Sequence, residues 1–176
     1  EIPLAGVIQA ARAAHDAGVP LLLNPSPVTD LPAELCTALT LAVVNEGEAA
    51  ALGTSLDDVP VVVTTLGSRG ARYAARGRTI DDDPTGARDA TEGESAPNGR
   101  LMVEVPAPRV RAVDTTGAGD AFTGALAVAW LEGRSPADVL RYACAAGALA
   151  ATVAGASSSP TRDAVTRLAA DAAGPV

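Results

Sequence analysis

Apolar residues along the chain fall into short continuous runs that alternate with segments of helical periodicity. The runs cover residues 19–23, 41–44 and 61–65, and none of them alternates apolar with polar positions. Such runs are typical of strands that are buried on both faces, as in a parallel sheet. The segments beside them, at 3–17, 31–39 and 46–52, repeat apolar residues with the period of a helix. Strands alternating with helices predict a single α/β domain whose sheet is covered by helices.

The rest of the chain predicts two shorter strands and a helical last third. The strands are expected at 71–75 and 101–105, with a flexible acidic loop at 77–100 between them, rich in Asp, Glu, Gly, Pro and Arg. A strand-like stretch at 110–113 follows. Helices are expected at 120–131, from Ser135 to about residue 154, and from Ser159 to about residue 172. Residues 1–176 are therefore interpreted as one domain with an inserted loop.

Composition and charge remove several classes of function. The 13 basic residues are all Arg, and with 21 acidic residues they give a net charge of −8. That balance argues against nucleic acid and anionic membranes as partners, because both require a basic face. The absence of Lys excludes a P-loop lysine and a Schiff-base lysine. Cys36 and Cys144 are too far apart for a zinc motif and are expected to be reduced, buried thiols of a cytoplasmic protein.

The segment 114–125 has the clearest pattern of candidate catalytic and binding residues in the sequence. It reads Asp-Thr-Thr-Gly-Ala-Gly-Asp-Ala-Phe-Thr-Gly-Ala and opens a predicted helix. The backbone amides of Gly117, Ala118 and Gly119 would point out of the helix N-terminus and form an anion site. Asp120 beside them could accept a proton from a hydroxyl while the amides hold a phosphoryl group. The alternative is a Gly-rich turn in which Asp120 only caps the helix.

This segment resembles the C-terminal signature of the ribokinase-like (PfkB) family of carbohydrate kinases. Further segments are similar to other motifs of that family: Asn24-Pro25-Ser26-Pro27 at a strand end, Asn45 and Glu48 as Asn-x-x-Glu, the turn 65–70 as Thr-Leu-Gly-Ser-Arg-Gly, and residues 1–4 as Glu-x-Pro-Leu. The resemblance implies a three-layer α/β/α ribokinase-like fold with a mostly parallel sheet. It also implies ATP-dependent phosphoryl transfer to a sugar hydroxyl, with ribose as the expected sugar.

The resemblance implies a role for each matching residue. Asp120 would be the general base, and Gly117, Ala118 and Gly119 would stabilise the transferring phosphoryl group. Asn45 would contact phosphate, Glu48 would help to hold Mg²⁺ indirectly, and Glu1 would touch the sugar. ATP would be seated by the turn of Thr65, Leu66, Gly67, Ser68, Arg69 and Gly70, with Cys144 at the position near the adenine. A K⁺ site would involve Asp114, Thr116, Ala150, Val153, Gly155 and Ser159.

The chain departs from the family pattern in three places. It aligns to about the C-terminal half, so the N-terminal half, its lid and the dimer interface that the lid forms are missing. The crossover at 52–60 is short, as if one helix were deleted, and one sheet face is expected to be under-covered. The loop 77–100 is an insertion.

These departures leave alternatives open. One is a nucleotide-binding fragment without catalysis. Another is a kinase for fructose, deoxyribose, a nucleoside or a phosphosugar. A dinucleotide oxidoreductase is rejected, because the turn after the first predicted strand is Asn-Pro-Ser-Pro and carries no G-x-G-x-x-G.

Overall fold

The computed structural model describes residues 2–27, 30–76, 100–156 and 159–172. Its helices are α1 Leu4–Asp16, α2 Ala33–Ala38, α3 Glu46–Leu52, α4 Ala118–Leu131, α5 Pro136–Ala150 and α6 Arg162–Ala172. Its strands are β1 Leu22–Leu23, β2 Leu41–Asn45, β3 Val61–Thr65, β4 Ala71–Arg76 and β5 Arg100–Val105. α3 and β3 have the predicted bounds, and β2 extends one residue beyond the predicted 41–44, to Asn45.

The five strands form one sheet in the order β1-β2-β3-β4-β5. β1–β2 and β2–β3 are parallel pairs, and β3–β4 and β4–β5 are antiparallel pairs. The sheet is therefore mixed, and the expectation of a mostly parallel sheet is corrected for its β4–β5 side. A five-residue turn joins β3 directly to β4, and so short a connection permits only antiparallel pairing.

Helices cover both faces of the sheet and give the three-layer architecture. In β2, Leu41 and Val43 face one buried cluster, while Ala42 and Val44 face the other. The first cluster lies against α4, α5 and α6, and the second lies against α1 and α2. Burial on both faces explains why β2 reads as a continuous apolar run.

The short crossover after α3 is closed by a 3-10 helix at Gly53–Asp58. Arg100, only 7% exposed, reaches this crossover and donates to the carbonyls of Leu56, Asp57 and Val59. Burial lowers the pKa of the Arg100 guanidinium, and these carbonyl bonds offset part of that desolvation. Beyond this crossover, the same sheet face carries Arg72 and Met102, which are only half-buried. This agrees with the expectation that the short crossover leaves one sheet face under-covered.

Several boundaries differ from the predictions. β1 covers only Leu22–Leu23 of the predicted 19–23, and the Val19 amide instead donates to the Ala14 carbonyl at the end of α1. Residues 110–113 are not a strand, because the chain there bonds to the end of α5: the Val113 amide donates to the Ala151 carbonyl at 2.8 Å. α5 ends at Ala150, and α6 starts after Thr161, whose hydroxyl accepts from the Ala164 amide. Arg100 belongs to β5. The predicted acidic loop otherwise lies outside the described residues.

Each helix in the described ranges is too short or too polar to span a bilayer.

Candidate active site

The carboxyl ends of β2, β3 and β5 meet at one edge of the sheet. β2 and β3 are parallel, and β5 runs in the same direction because two antiparallel pairings separate it from β3. Asn45 therefore lies beside Thr65 in the strand register, and the segment that leads to α4 leaves Val105 at the same edge. Ligands of open α/β sheets bind at such edges. The fold thus brings the predicted site residues that follow these strands to one edge of the sheet.

At the start of α3, Asn45 and Glu48 bond to each other's backbone. The Asn45 carboxamide oxygen accepts from the Glu48 amide at 2.8 Å, and the Glu48 carboxylate accepts from the Asn45 amide at 2.8 Å. This capping box satisfies two amides at the helix start. Glu48 is 8% exposed, and because the cap uses one of its carboxylate oxygens, only the other oxygen is available to a metal or to a bridging water. The indirect Mg²⁺ role of Glu48 stays a prediction.

The turn 65–70 is a tight 3-10 connection between β3 and β4. The Leu66 amide donates to the Gly70 carbonyl at 2.8 Å, which closes the turn. Gly70 has φ of +113°, and a Cβ there would lie 1.9 Å from the Val105 carbonyl oxygen. Only glycine fits this position, because the turn packs backbone against backbone where β5 ends. The turn is thereby fixed beside the start of the segment that leads to α4.

Arg69 joins this turn to α3. Its guanidinium donates to the Glu46 carboxylate, and both side chains are more than half exposed. This bond raises the pKa of the Arg69 guanidinium. Arg69 therefore lies near Asn45, as the phosphate role requires, although its charge is paired with Glu46.

The start of α4 has a different construction. Gly117 is the N-cap with φ of +76°, and its residue type supplies no side-chain cap. A Cβ there would lie 2.9 Å from the Ala156 carbonyl oxygen, so the loop after α5 packs directly on the helix start. The backbone of this loop leaves no room for a side chain, and the first amides of α4 have no capping side chain over them.

The three predicted amides are not equivalent. The Ala118 amide donates to the Thr115 carbonyl at 3.1 Å. Within the described ranges, the amides of Gly117 and Gly119 donate to no other backbone group. The predicted anion site thus has two open donors and one that is occupied. Asp120 stands in the first turn with an exposed carboxylate that has no hydrogen-bond or ion-pair partner in the described chain.

Asp114 fixes the loop in front of α4. One carboxylate oxygen accepts from the Thr116 amide at 2.9 Å and from the Thr116 hydroxyl at 2.7 Å. The other oxygen accepts from the Gly155 amide at 2.9 Å. These bonds lower the pKa of Asp114 to about 2. Both oxygens are occupied by protein donors, so Asp114 acts as a clip between two loops, as expected, and a cation here would depend on carbonyl groups.

The structure brings only some of the other residues predicted for the cation site together. Ala150 and Val153 share one turn, in which the Val153 amide donates to the Ala150 carbonyl at 3.3 Å. Ser159 is exposed beyond residues 157–158, and Glu1 lies outside the described residues.

Cys144 is buried inside the cluster around α5, and desolvation raises its pKa to about 12. Cys144 packs in the core, which argues against an adenine contact. Cys36 is buried as well, and both thiols are free, as predicted.

Sequence reasoning missed Glu46 and the occupied Ala118 amide. Glu46 follows a strand end directly and faces the neighbouring turn, a placement that the strand order alone would have suggested. The Ala118 bond had no such signal, because it depends on how the loop 114–117 is folded.

The comparisons with known proteins agree on one family. Residues 1–163 match the model of the pfkB family carbohydrate kinases. The chain is 32% identical to a ribokinase of Arabidopsis thaliana over 96% of its own length and 44% of that protein. It is 34% identical to a ribokinase of Bacillus subtilis over 96% of its length and 52% of that protein. The chain thus spans about half the length of these curated relatives.

Solved structures show the same likeness. A structure of Arabidopsis thaliana ribokinase complexed with ribose and ATP matches with a TM-score of 0.76 and 31% identity, over 96% of this chain and 53% of that one. A nucleoside kinase of Burkholderia thailandensis in complex with inosine matches with a TM-score of 0.76 and 25% identity, over 98% and 54% of the two chains.

Proposed function

Because the chain belongs to the pfkB family of carbohydrate kinases, we propose that it supplies the nucleotide-binding and catalytic half of an ATP-dependent sugar kinase. The observation that carries this proposal is the start of α4, where open amides stand beside an unpaired carboxylate. Ribose is the proposed sugar, since the matched relatives in plants and bacteria are named ribokinases. A nucleoside is the main competing substrate, because a nucleoside kinase matches the fold equally well.

In the proposed reaction, Asp120 accepts the proton of the attacking sugar hydroxyl. That oxygen forms a bond to the γ-phosphorus of ATP while the bond to the ADP oxygen breaks. The amides of Gly117 and Gly119 hold the charge on the equatorial oxygens, aided by the positive end of α4. Because phosphoryl transfer depends mainly on positioning and electrostatics, the fixed loop in front of α4 matters as much as the base.

The turn 65–70 and the start of α3 are proposed to seat the nucleotide. Arg69 and Asn45 lie at the same sheet edge and are proposed to contact phosphate, with Glu48 behind them toward Mg²⁺. Mg²⁺, when bound, would offset the negative charge of the phosphates. The turn of Ala150 and Val153, next to the Asp114 clip, is proposed to offer carbonyl oxygens to K⁺. A cytoplasmic location is also proposed.

The test is ADP formation from ATP by the purified chain with Mg²⁺ and K⁺, with and without ribose, fructose, deoxyribose or inosine. Ribose-dependent ADP formation is expected. Asp120→Asn should reduce it by about 10²–10⁴-fold, the usual contribution of a general base, while the ATP dissociation constant changes less than about 2-fold. The matched control is Asp163→Asn, which neutralises the first-turn acid of α6 and should leave turnover unchanged.

A second function is favoured by one observation, namely that the chain spans about half of its relatives. It is a nucleotide-binding unit that needs further polypeptide for turnover. Sugar-independent ATP binding without ADP formation would support this second function. Loss of ATP affinity in Asp120→Asn, equal in size to the loss of turnover, would contradict the base role of Asp120.

A further inference from the structure

A surface cavity of about 320 Å³ lies beside the turn between α4 and α5. This turn, the start of α5 and one side of α6 line the cavity, through Arg134, Asp138, Arg141, Tyr142, Ala169 and Ala170. α4 has 14 residues between its Gly117 end and this turn, and a rise of about 1.5 Å per residue separates the two ends by about 20 Å. The cavity is therefore a separate place from the candidate active site.

Two arginines line the cavity and are held in place by neighbouring carboxylates. The side chain of Arg134 is 29% exposed and that of Arg141 is 24% exposed, whereas the arginines of the other ion pairs in the described ranges are at least 42% exposed. Arg134 donates from Nε and Nη2 to one oxygen of Glu132 at 2.9 and 2.6 Å, and the other oxygen accepts from Arg162. Arg141 donates from Nη1 to Asp138 at 2.8 Å. Both guanidiniums are thus positioned, and each keeps N–H groups that these bonds do not use.

Tyr142 adds a hydroxyl to the same cavity. The guanidinium of Arg134 lies over its ring, at 4.3 Å from the centroid, in the arrangement of a cation–π contact. Tyr142 is 5% exposed, and its hydroxyl makes no hydrogen bond to the described residues. In the same residues, every side-chain oxygen or nitrogen that is closed off from solvent has a hydrogen-bond partner. The Tyr142 hydroxyl therefore meets solvent, and it does so at the cavity that this residue lines.

The charges around the cavity favour an anion. Asp138 is the one acid among the lining residues that the structure describes, and its two oxygens already accept from Arg141 and from the Ser135 hydroxyl. The lining residues carry two positive charges and one negative charge, in a chain whose net charge is −8. What remains there for a ligand is chiefly N–H and O–H donors, so the ligand must supply acceptors.

We propose that this cavity binds a small phosphate monoester, at a site separate from the candidate active site. Two positioned guanidiniums and a tyrosine hydroxyl offer donors to three acceptor oxygens, which a phosphate has and a carboxylate lacks. The wall of Ala169 and Ala170 packs against the carbon part of the ester. Because the volume lies near the lower end of the usual range for ligand sites, about 300–1,000 Å³, the ester is a small one. Binding at this site needs neither ATP nor turnover.

The test is a titration of the complete 176-residue chain with phenyl phosphate as the probe, without nucleotide and at low ionic strength. Benzoate and phenol are the matched ligands, since benzoate has two acceptor oxygens and phenol carries no charge at neutral pH. Binding is followed by the chemical shifts of backbone amides in NMR spectra. We expect the amides of Tyr142 and Ala170 to shift and to reach saturation. Phenyl phosphate should bind at least about 5-fold more tightly than benzoate, and phenol should not saturate these shifts.

Matched variants identify the groups that bind the probe. Arg141→Gln removes one guanidinium and should weaken phenyl phosphate binding about 10-fold or more, because a hydrogen bond between charged groups is lost. Tyr142→Phe removes only the hydroxyl and should weaken binding by about 3- to 10-fold. It keeps the buried ring, so it provides the test if Arg141→Gln lowers the thermal midpoint. The control is Arg12→Gln, at an arginine of α1 that is also paired with a carboxylate; it should alter binding less than about 2-fold.

Three results would overturn the proposal. One is a titration in which phenyl phosphate shifts the amides of 117–120 and leaves those of Tyr142 and Ala170 unchanged, because the phosphate then binds only at the start of α4. Another is benzoate that binds as tightly as phenyl phosphate. A third is equal weakening by Arg141→Gln and Arg12→Gln. Since no nucleotide is present, these outcomes are distinct from failure of the kinase proposal, which is read from ADP formation.

Discussion

The starts of α3 and α4 lie at the same edge of the sheet but are built in opposite ways. At α3, Asn45 and Glu48 close a capping box in which each side chain satisfies the other's backbone amide. At α4, Gly117 carries no side chain, and the amides of Gly117 and Gly119 remain open. The α4 start is instead held from outside, by Asp114 and by the loop around Gly155 and Ala156.

This difference separates a helix start that stabilises the fold from one that is available to a ligand. A capped start has used its donors, so an anion must displace or bypass the cap. An uncapped start keeps its donors and its positive partial charge for a ligand. The hydrogen bonds of Asp114 hold the start of α4 in place, which a side-chain cap would otherwise do. We therefore expect changes at α4 to affect ligand binding and turnover first, and changes at α3 to affect stability first.

Gly117→Ala should have the largest effect. The left-handed backbone costs a residue with a Cβ about 1–2 kcal/mol, and the clash with Ala156 adds to that. The loop would shift, and ATP affinity should fall together with the thermal midpoint. The control is Gly119→Ala, where an added Cβ meets nothing within 4 Å; it should leave the midpoint unchanged or slightly higher. Equal effects of the two substitutions would contradict the packing argument.

Asp114→Asn should weaken the clip, because an amide nitrogen cannot accept from the Gly155 amide. The folded pKa of about 2 lies below the ordinary value of 3.8. The stabilisation by the Asp114 carboxylate is therefore complete above the ordinary value and is lost as pH falls toward 2. Thermal midpoints of wild type and Asp114→Asn should differ above pH 5 and converge between about pH 4 and pH 2. A pH-independent gap for Asp114→Asn would refute the assignment.

Asn45→Ala should cost about 1 kcal/mol of unfolding free energy through loss of the cap. Asn45→Ser separates the two proposed roles of this residue. Ser also caps helices but lacks the carboxamide, so stability should be largely retained while ATP affinity falls if Asn45 contacts phosphate. Denaturant unfolding and ATP titration of both variants provide the measurement. Retained ATP affinity in Asn45→Ser would assign Asn45 to the helix alone.

Glu46→Gln should have the smallest effect. The exposed Arg69–Glu46 pair contributes little to stability, because solvent screens its charges. Freeing Arg69 for phosphate should tighten ATP binding by up to about 3-fold. Glu34→Gln breaks the similarly exposed Arg12–Glu34 pair and should leave ATP affinity unchanged. Weaker ATP binding in Glu46→Gln would indicate that Glu46 orients Arg69 and does not compete for it.

Much of the fold could be predicted from the sequence because its signals are local. The apolar runs of β2 and β3 and the Ser135-Pro136 start of α5 are decided by residues close in sequence. The stretch 110–113 was predicted wrongly, because the Val113 amide bonds to the carbonyl of Ala151, which is distant in the sequence. The mixed pairing of the sheet follows from the short turn between β3 and β4, which permits only antiparallel pairing. The alternation of strands and helices had instead predicted a mostly parallel sheet.

Less of the candidate site than of the fold could be predicted from the sequence. Motif residues identified the positions at both helix starts, and the strand order brings them to one edge. Which donors are open could not be predicted, because the Ala118 bond and the Glu46–Arg69 pair depend on loop conformation and side-chain rotamers. For Cys144 the sequence predicted a buried thiol and, from its motif position, a contact near the adenine; the burial of Cys144 agrees with the first prediction.

The pairing of Arg76 with Arg100 at the far end of β4 and β5 has a consequence for how the chain can vary in length. The segment between these two residues leaves and re-enters the sheet at adjacent positions, on the side opposite Asn45 and the turn 65–70. Its ends are fixed by the strand ladder and by the Arg100 bonds to the crossover carbonyls. Doubling such a segment costs only about 0.6 kcal/mol in closure entropy. The hairpin is thus a point where sequence can be gained, lost or replaced by a reporter domain without disturbing the geometry at the opposite edge.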